Sequence, residues 1–340
     1  MMLTKTQTIH VPNAPRIPGL SFRHFRGEED YPGMLAVYKT AMQHDGMEAS
    51  DTLEQLANNY QHLERSNPYT DMLFAEVNGE MIAYGRCWWD PEPNGDHRYS
   101  FFVNMVPDWR SKRLAKSMMH YLIARLQTIS NDHPQPAKKY LQVWSNDNMK
   151  WQQKLLESLD FVPVRYGYMM VRPCSQPMEA QQLPAGLEVR PASPNQFRQI
   201  WEAQAEAFRD HWGYVEPTEK HYQSWLEFPY TQPELWKVAW DGDQVVGMVL
   251  NFINHDENQE FKRLRGYTED ISVRRPWRRQ GVARALLTQS IRMFQEMGMD
   301  ETVLGVDAEN PNGALNLYES VGYKPYRTSR TFRKPLHDHP

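Results

Sequence analysis

The sequence of 340 residues holds only two cysteines, Cys87 and Cys174. Two isolated thiols exclude a disulfide framework and a cysteine-built zinc site, and both read as packing residues in a reducing compartment. No apolar run approaches the ~20 residues of a membrane span. The stretch "MMLTKTQTIHVPNAPRIPGL" lacks an apolar segment followed by a small-residue cleavage site, so it does not read as a signal peptide. Residues 1–18 are expected to form an extended arm, and the chain is expected in the cytoplasm with no membrane partner. Neither charge sign dominates: 38 Lys and Arg stand against 42 Asp and Glu, a formal net charge of −4. That balance argues against a nucleic-acid partner held by overall charge, so any basic site must be local. No histidine pair has metal-ligand spacing, and no metal is expected. The remaining composition, 40% hydrophobic and 24% charged, is that of a globular protein long enough for two domains.

The two halves echo each other. "GLSFRHF" (19–25) resembles "GLEVRPA" (186–192), and "FAEVNGEMIAYG" (74–85) resembles "VAWDGDQVVGMV" (238–249). Each of the latter pair places two short apolar strands around Asn-Gly or Asp-Gly, a strong hairpin signal. "VNMVPDWRSKRLAKSMM" (103–119) matches "ISVRRPWRRQGVARALL" (271–287), and "LLESLDFVPVRYG" (155–167) matches "LYESVGYKPYRTS" (317–329). Four matches in one order at nearly constant offset indicate a tandem duplication. The Pro-, Gln- and Ala-rich segment 173–186 reads as a linker between domains at 19–172 and 187–335. In each half, strands alternate with helices after an antiparallel start. This predicts an α/β fold in which each half is a mixed sheet with helices on both faces.

"VRRPWRRQGVARALL" (273–287) carries five arginines, then a glycine and an apolar helix. Such a run suits a nucleic acid, a solvated helix end, or a cradle for a polyphosphate. A strand running through a loop into a helix N-terminus presents unpaired N–H groups and a positive dipole end. Gly281 allows close approach of the backbone, because a Cβ there would stand between amide and phosphate. Ala283 is the next smallest choice, Arg278 and Arg279 add charge, and Pro276 stiffens the approach.

The run Arg278-Arg279-Gln280-Gly281-Val282-Ala283 fits the pattern Arg/Gln-x-x-Gly-x-Gly/Ala. It resembles the acyl-CoA loop of the GNAT acetyltransferase superfamily. "VDAENPNGALNLYESVGYKPY" (306–326) resembles that superfamily's second hallmark, through Asn310, Ala314, Leu317, Tyr318, Gly322 and Tyr323. The likeness is specific over roughly 268–326 and extends more loosely over both halves, as in tandem-repeat members such as mycothiol synthase. It implies acetyl-CoA as co-substrate and direct attack by a small-molecule amine on the thioester. It also implies cofactor contacts at Ile271, Val273, Arg278, Arg279, Gln280, Gly281, Val282, Ala283 and Asn310. Tyr318 is implied as the acid for the departing thiolate and Glu269 as the base, with Asp270 holding a cationic acceptor. Strand alternation puts Glu269, Ile271 and Val273 on one face and Asp270 on the other. Asn310 is a good helix N-cap, although its spacing to Ala314 is one residue longer than the commonest form of the motif.

The first half departs from the pattern at the glycine of the loop, at the acid tyrosine and at the glycine after it. Arg113 stands for Gly281, Leu156 for Tyr318 and Asp160 for Gly322, while Arg110 and Ala115 persist. That half is expected to be degenerate and structural. The region "FRDHWGYVEPTEKHYQSWLEFPYTQPELW" (208–236) offers Trp212 and Tyr214, beside His211, Trp225 and Tyr230, as an acceptor pocket using ring stacking or cation–π contacts. The competing expectation is a non-catalytic acyl-CoA sensor or scaffold. Because a tandem chain supplies two domains by itself, a monomer is expected.

Overall fold

A computed structural model describes residues 8–133 and 138–336. The first seven residues of the expected arm lie outside the described residues. Along the chain run β1 (Leu20–Arg23), α1 (Tyr31–His44), α2 (Leu53–Gln61), α3 (Pro68–Asp71), β2 (Met72–Val77), β3 (Glu80–Pro91), β4 (His97–Met105), α4 (Leu114–Asn131), β5 (Lys139–Asn146), α5 (Lys150–Glu157) and β6 (Val162–Pro173). There follow β7 (Glu188–Arg190), α6 (Phe197–Phe208), α7 (Glu219–Leu226), β8 (Lys237–Asp241), β9 (Gln244–Phe252), α8 (His255–Phe261), β10 (Arg265–Val273), α9 (Val282–Glu296), β11 (Glu301–Asp307), α10 (Ala314–Ser320) and β12 (Lys324–Pro335). No helix among the described residues is long and apolar enough to cross a membrane.

The chain forms two compact units, one of residues 8–164 with 330–336, the other of residues 165–329. In the first, β1–β4 pair antiparallel in order and β5 joins β4 in parallel. Asn78 and Gly79 turn the β2–β3 hairpin with φ of 53° and 87°, the positive pair a tight hairpin turn demands. Alternation along β2 sends Met72 and Phe74 to the α1 side and Leu73 and Ala75 to the α4 side. Both faces of this mixed sheet are therefore buried, as the alternating pattern predicts.

The second unit repeats the plan, with β7–β10 antiparallel and β11 parallel to β10. Helix α6 covers one face, where Ile200 and Ala203 pack on Trp240, Met248 and Leu250. Helix α9 covers the other, where Val282 and Leu286 pack on Ala239, Val246 and Val249.

The units do not follow the contiguous halves at 19–172 and 187–335. The second unit takes β6, which lies antiparallel to β11 from Glu301↔Pro173 to Asp307↔Gly167. The first unit takes the end of β12, where Phe332 is fully buried and Leu336 N–H donates to Lys139 O at 2.9 Å. A closing strand reads the same in sequence whichever sheet it completes, so the chain alone does not reveal the exchange. Residues 173–186 are held on the second unit: Cys174 N–H donates to Asp300 O (2.8 Å), Gln181 N–H donates to Thr288 Oγ1 (3.0 Å), and Leu183 packs on the α9 cluster.

Candidate active site

The arginine-rich run begins where β10 ends. Arg275–Trp277 make one 3-10 turn containing Pro276, and α9 starts at Val282. Gly281 is the N-cap with φ of 88°, and no side chain caps the helix. The first helical bond is Ala285 N–H to Gly281 O at 3.0 Å, which leaves the N–H groups of Val282, Ala283 and Arg284 without helical partners. A Cβ on Gly281 would meet no atom within 4 Å. It would project into open space, and Gly281 lines a cleft of about 500 Å³.

The arginines divide by role. Arg274 donates to Glu206 (2.8 Å) and Val245 O. Arg275 and Arg278 both pair with Asp210, and their guanidinium groups hold its carboxyl far below the ordinary range. Three of the five cations are thus paired within the unit. Arg279 is exposed and lines the cleft. Arg278 also ties the strand end to α6, donating to Val273 O (2.9 Å) and Ala207 O (2.9 Å). Arg110 repeats this clamp in the first unit, donating to Met105 O, Ala41 O and both carboxylate oxygens of Asp45. Its persistence beside a lost glycine therefore has a structural cause. Gln280 donates to Pro276 O at 3.0 Å and is exposed.

Beyond the loop, two strands part. β10 and β11 pair only from Arg265↔Glu301 to Tyr267↔Val303. On its other edge β10 shifts register against β9, from Glu269↔Leu250 to Ser272↔Met248. One extra residue is inserted there, and Asp270 takes φ of 51°, which marks a β-bulge. The bulge corrects the simple alternation. Ile271 and Val273 pack toward α9, whereas Glu269 pairs with Leu250 of the opposite face.

Glu269, Asp270 and Tyr318 all line the cleft, together with His211, Ser272 and Asp307. Gly305 N–H donates to Glu269 Oε1 at 3.1 Å, across the gap between the parted strands. Burial, reinforced by the neighbouring Asp270 and opposed by that N–H, pushes the Glu269 carboxyl up to about 8. Burial pushes Asp270 up to about 6, against a hydrogen bond from Gln204. Tyr318 is buried, and burial with the nearby Glu269 charge raises its phenol well above the ordinary value. Burial lowers His211, which favours the neutral ring at pH 7. Ser272 Oγ is buried without a partner. No group of three or more His, Cys, Asp and Glu among the described residues is placed to hold a metal ion.

The other expected residues are distributed unevenly. Ile271, Val273, Val282, Ala283 and Asn310 line the cleft. Asn310 does not cap α10, whose N-cap is Gly313 with φ of 72°. The additional residue in this loop makes a separate turn, in which Asn312 N–H donates to Asn310 Oδ1 at 2.8 Å. Tyr214 lines a smaller pocket that shares Asp270 and Phe208 with the cleft. Trp212 lines neither; it is exposed, with Arg165 5.6 Å above its ring. Sequence reasoning missed Trp201, Gln204 and Phe208, which also line the smaller pocket. Their spacing of three and four residues puts them on one face of α6, and a glutamine inside that aromatic face was the available signal.

The chain matches the model of the Acetyltransferase (GNAT) family over residues 34–133 and again over 197–323. The mycothiol acetyltransferase of Thermobispora bispora is 24% identical over 308 residues, covering 90% of this chain and 96% of the relative. That of Geodermatophilus obscurus is 23% identical over 267 residues, covering 78% and 82%. The GCN5-related N-acetyltransferase from Sphaerobacter thermophilus superposes with a TM-score of 0.70 at 24% identity, covering 95% of this chain and 97% of that one. A tandem GNAT protein from the clavulanic acid biosynthesis pathway gives 0.65 at 11% identity, covering 94% and 99%. These structural likenesses speak for the fold. The two regions matched by the family model together exceed half of the chain, and the protein belongs to the GNAT acetyltransferase family as a tandem-domain acyltransferase.

Proposed function

We propose that the second unit transfers an acetyl group from acetyl-CoA to the primary amine of a small molecule. The carrying observation is the uncapped start of α9 behind Gly281, opening on the same cleft as Glu269 and Tyr318. The amides of Val282 to Arg284, with those of Arg279 to Gly281, would receive the pyrophosphate at the positive end of the helix. Arg279 adds charge at the mouth, and Arg278 holds the loop to α6. The acyl arm enters the gap between β10 and β11, beside the backbone of Ile271 and Val273, with Asn310 at its wall.

The chemistry follows from the protonation states. A neutral amine attacks the thioester carbonyl, forming a C–N bond. Glu269 takes a proton from the amine, directly or through one water. The tetrahedral centre collapses with cleavage of the C–S bond, and Tyr318 donates its phenolic proton to the leaving thiolate. A carboxyl raised to about 8 is a stronger base, once ionised, than an ordinary glutamate. A phenol raised by burial keeps its proton until the thiolate needs it. The thioester of the co-substrate supplies the activated acyl group.

The test is amine-dependent release of free thiol from acetyl-CoA by the full chain, screened over small primary amines. Turnover with any of them that is lost in Tyr318→Phe supports the proposal. Acetyl-CoA binding with no amine-dependent release from a broad panel would leave a non-catalytic acyl-CoA sensor as the better reading.

A further inference from the structure

We infer that the smaller pocket beside the cleft selects the acceptor, and that it takes a primary ammonium carried by a short linker on a single aromatic ring. This rests on the reading of the second unit as an amine acetyltransferase. The pocket has a volume of about 220 Å³ and is walled by Trp201, Phe208, Tyr214 and Pro217, with Asp270 and Gln204 as polar groups. Asp270 and Phe208 also line the cleft, so a ligand held there has its polar end next to Glu269.

Three features define the ligand. The first is size, since a cavity of about 150 Å³ accepts a benzene ring, and the pocket's volume of about 220 Å³ has room for one ring and a two-carbon linker. The second is an unmet hydrogen bond. Gln204 and Asp270 line the pocket together, and Gln204 Oε1 is buried with no partner. A buried acceptor of this kind calls for a donor. An ammonium supplies donors to both Oε1 and the Asp270 carboxylate, and the charge complements the acid. The third is a shortage of other polar partners. The Tyr214 hydroxyl already donates to Glu216 at 3.0 Å. An amino sugar would set several hydroxyls against aromatic faces that offer them few polar partners, whereas an aryl ring stacks on those faces.

The experiment compares 2-phenylethylamine with glucosamine as acceptors for the full chain, with acetyl-CoA binding measured separately by calorimetry. Phenylethylamine should have the higher kcat/KM by at least about a hundredfold, as expected where one ligand leaves polar groups unpaired and the other does not. Asp270→Asn should lower its kcat/KM at least about tenfold, mainly through KM, with acetyl-CoA affinity unchanged. Ala205→Leu, which adds bulk to the pocket wall from a helix position, should do the same without removing a charge. Bound acetyl-CoA with equal or better use of glucosamine overturns the inference alone, as does a phenylethylamine KM unmoved by both variants. Failure to bind acetyl-CoA overturns this inference together with the proposed function.

Discussion

Gly281 and Arg113 stand at matched places before α9 and α4, both in the left-handed region, with φ of 88° and 61°. The loop's backbone path therefore does not require glycine; open space above the amides does. Gly281→Ala should fold with a strain of about 1–2 kcal/mol, a fall in Tm of a few degrees, while its Cβ enters the cleft and weakens acetyl-CoA binding at least about tenfold, roughly 1.4 kcal/mol. Calorimetric titration checks this, and an unchanged Kd would contradict it. At Tyr318, replacement by Phe should lower kcat by about 10²–10⁴-fold, the range for a positioned acid, with little change in KM for acetyl-CoA. Glu269 gives a prediction with a definite sign. Its folded-state pKa of about 8 lies above the ordinary value of ~4.3. The native state keeps the proton where the unfolded chain has lost it, so this group's contribution to stability falls as pH rises through that window. Glu269→Gln should thus gain Tm relative to the parent between pH 4 and 9, and thermal melts showing a flat difference would refute the assignment.

At the scale of elements, the two arginine clamps are the features the repeats share most closely. Arg110 and Asp45 form a buried pair, and removing one partner of such a pair costs about 3–5 kcal/mol. Arg110→Ala should destabilise the first unit by that order in denaturant titrations, while acetyl transfer per folded molecule stays unchanged; a loss below about 1 kcal/mol would make it an ordinary surface pair. The hairpins, the loop-to-helix start and the mixed order of strands and helices were legible in the chain, because each is written in local residues such as Asn78-Gly79 and Gly281. The bulge at Asp270 was not. It exists only as a register between β10 and β9, and "TEDISV" alternates well enough on paper to hide it. The aromatic face of α6 was written in the sequence at helical spacing, but only the bulged Asp270 makes that face part of a pocket. Asn310 shows the reverse case: one extra residue was visible in the spacing, and its effect, a separate turn with the cap passing to Gly313, was not.

At the scale of the whole molecule, the duplication has left one unit with an open cleft behind a glycine and another with an arginine at that place. The closing strand of each unit comes from the other half of the sequence, so neither half contains a complete core. Phe332 is fully buried in the first unit. Phe332→Ala should cost about 3–5 kcal/mol and speed hydrogen exchange in β5, although it lies almost 200 positions away along the chain. We propose that the second unit's loop is the coenzyme A cradle and the first unit's loop is not. Amide hydrogen exchange on the full chain, with and without coenzyme A, tests it most directly. Exchange should slow at the amides of residues 279–284 and stay unchanged at 111–116. Protection at 111–116, or none at 279–284 with coenzyme A bound, would contradict it.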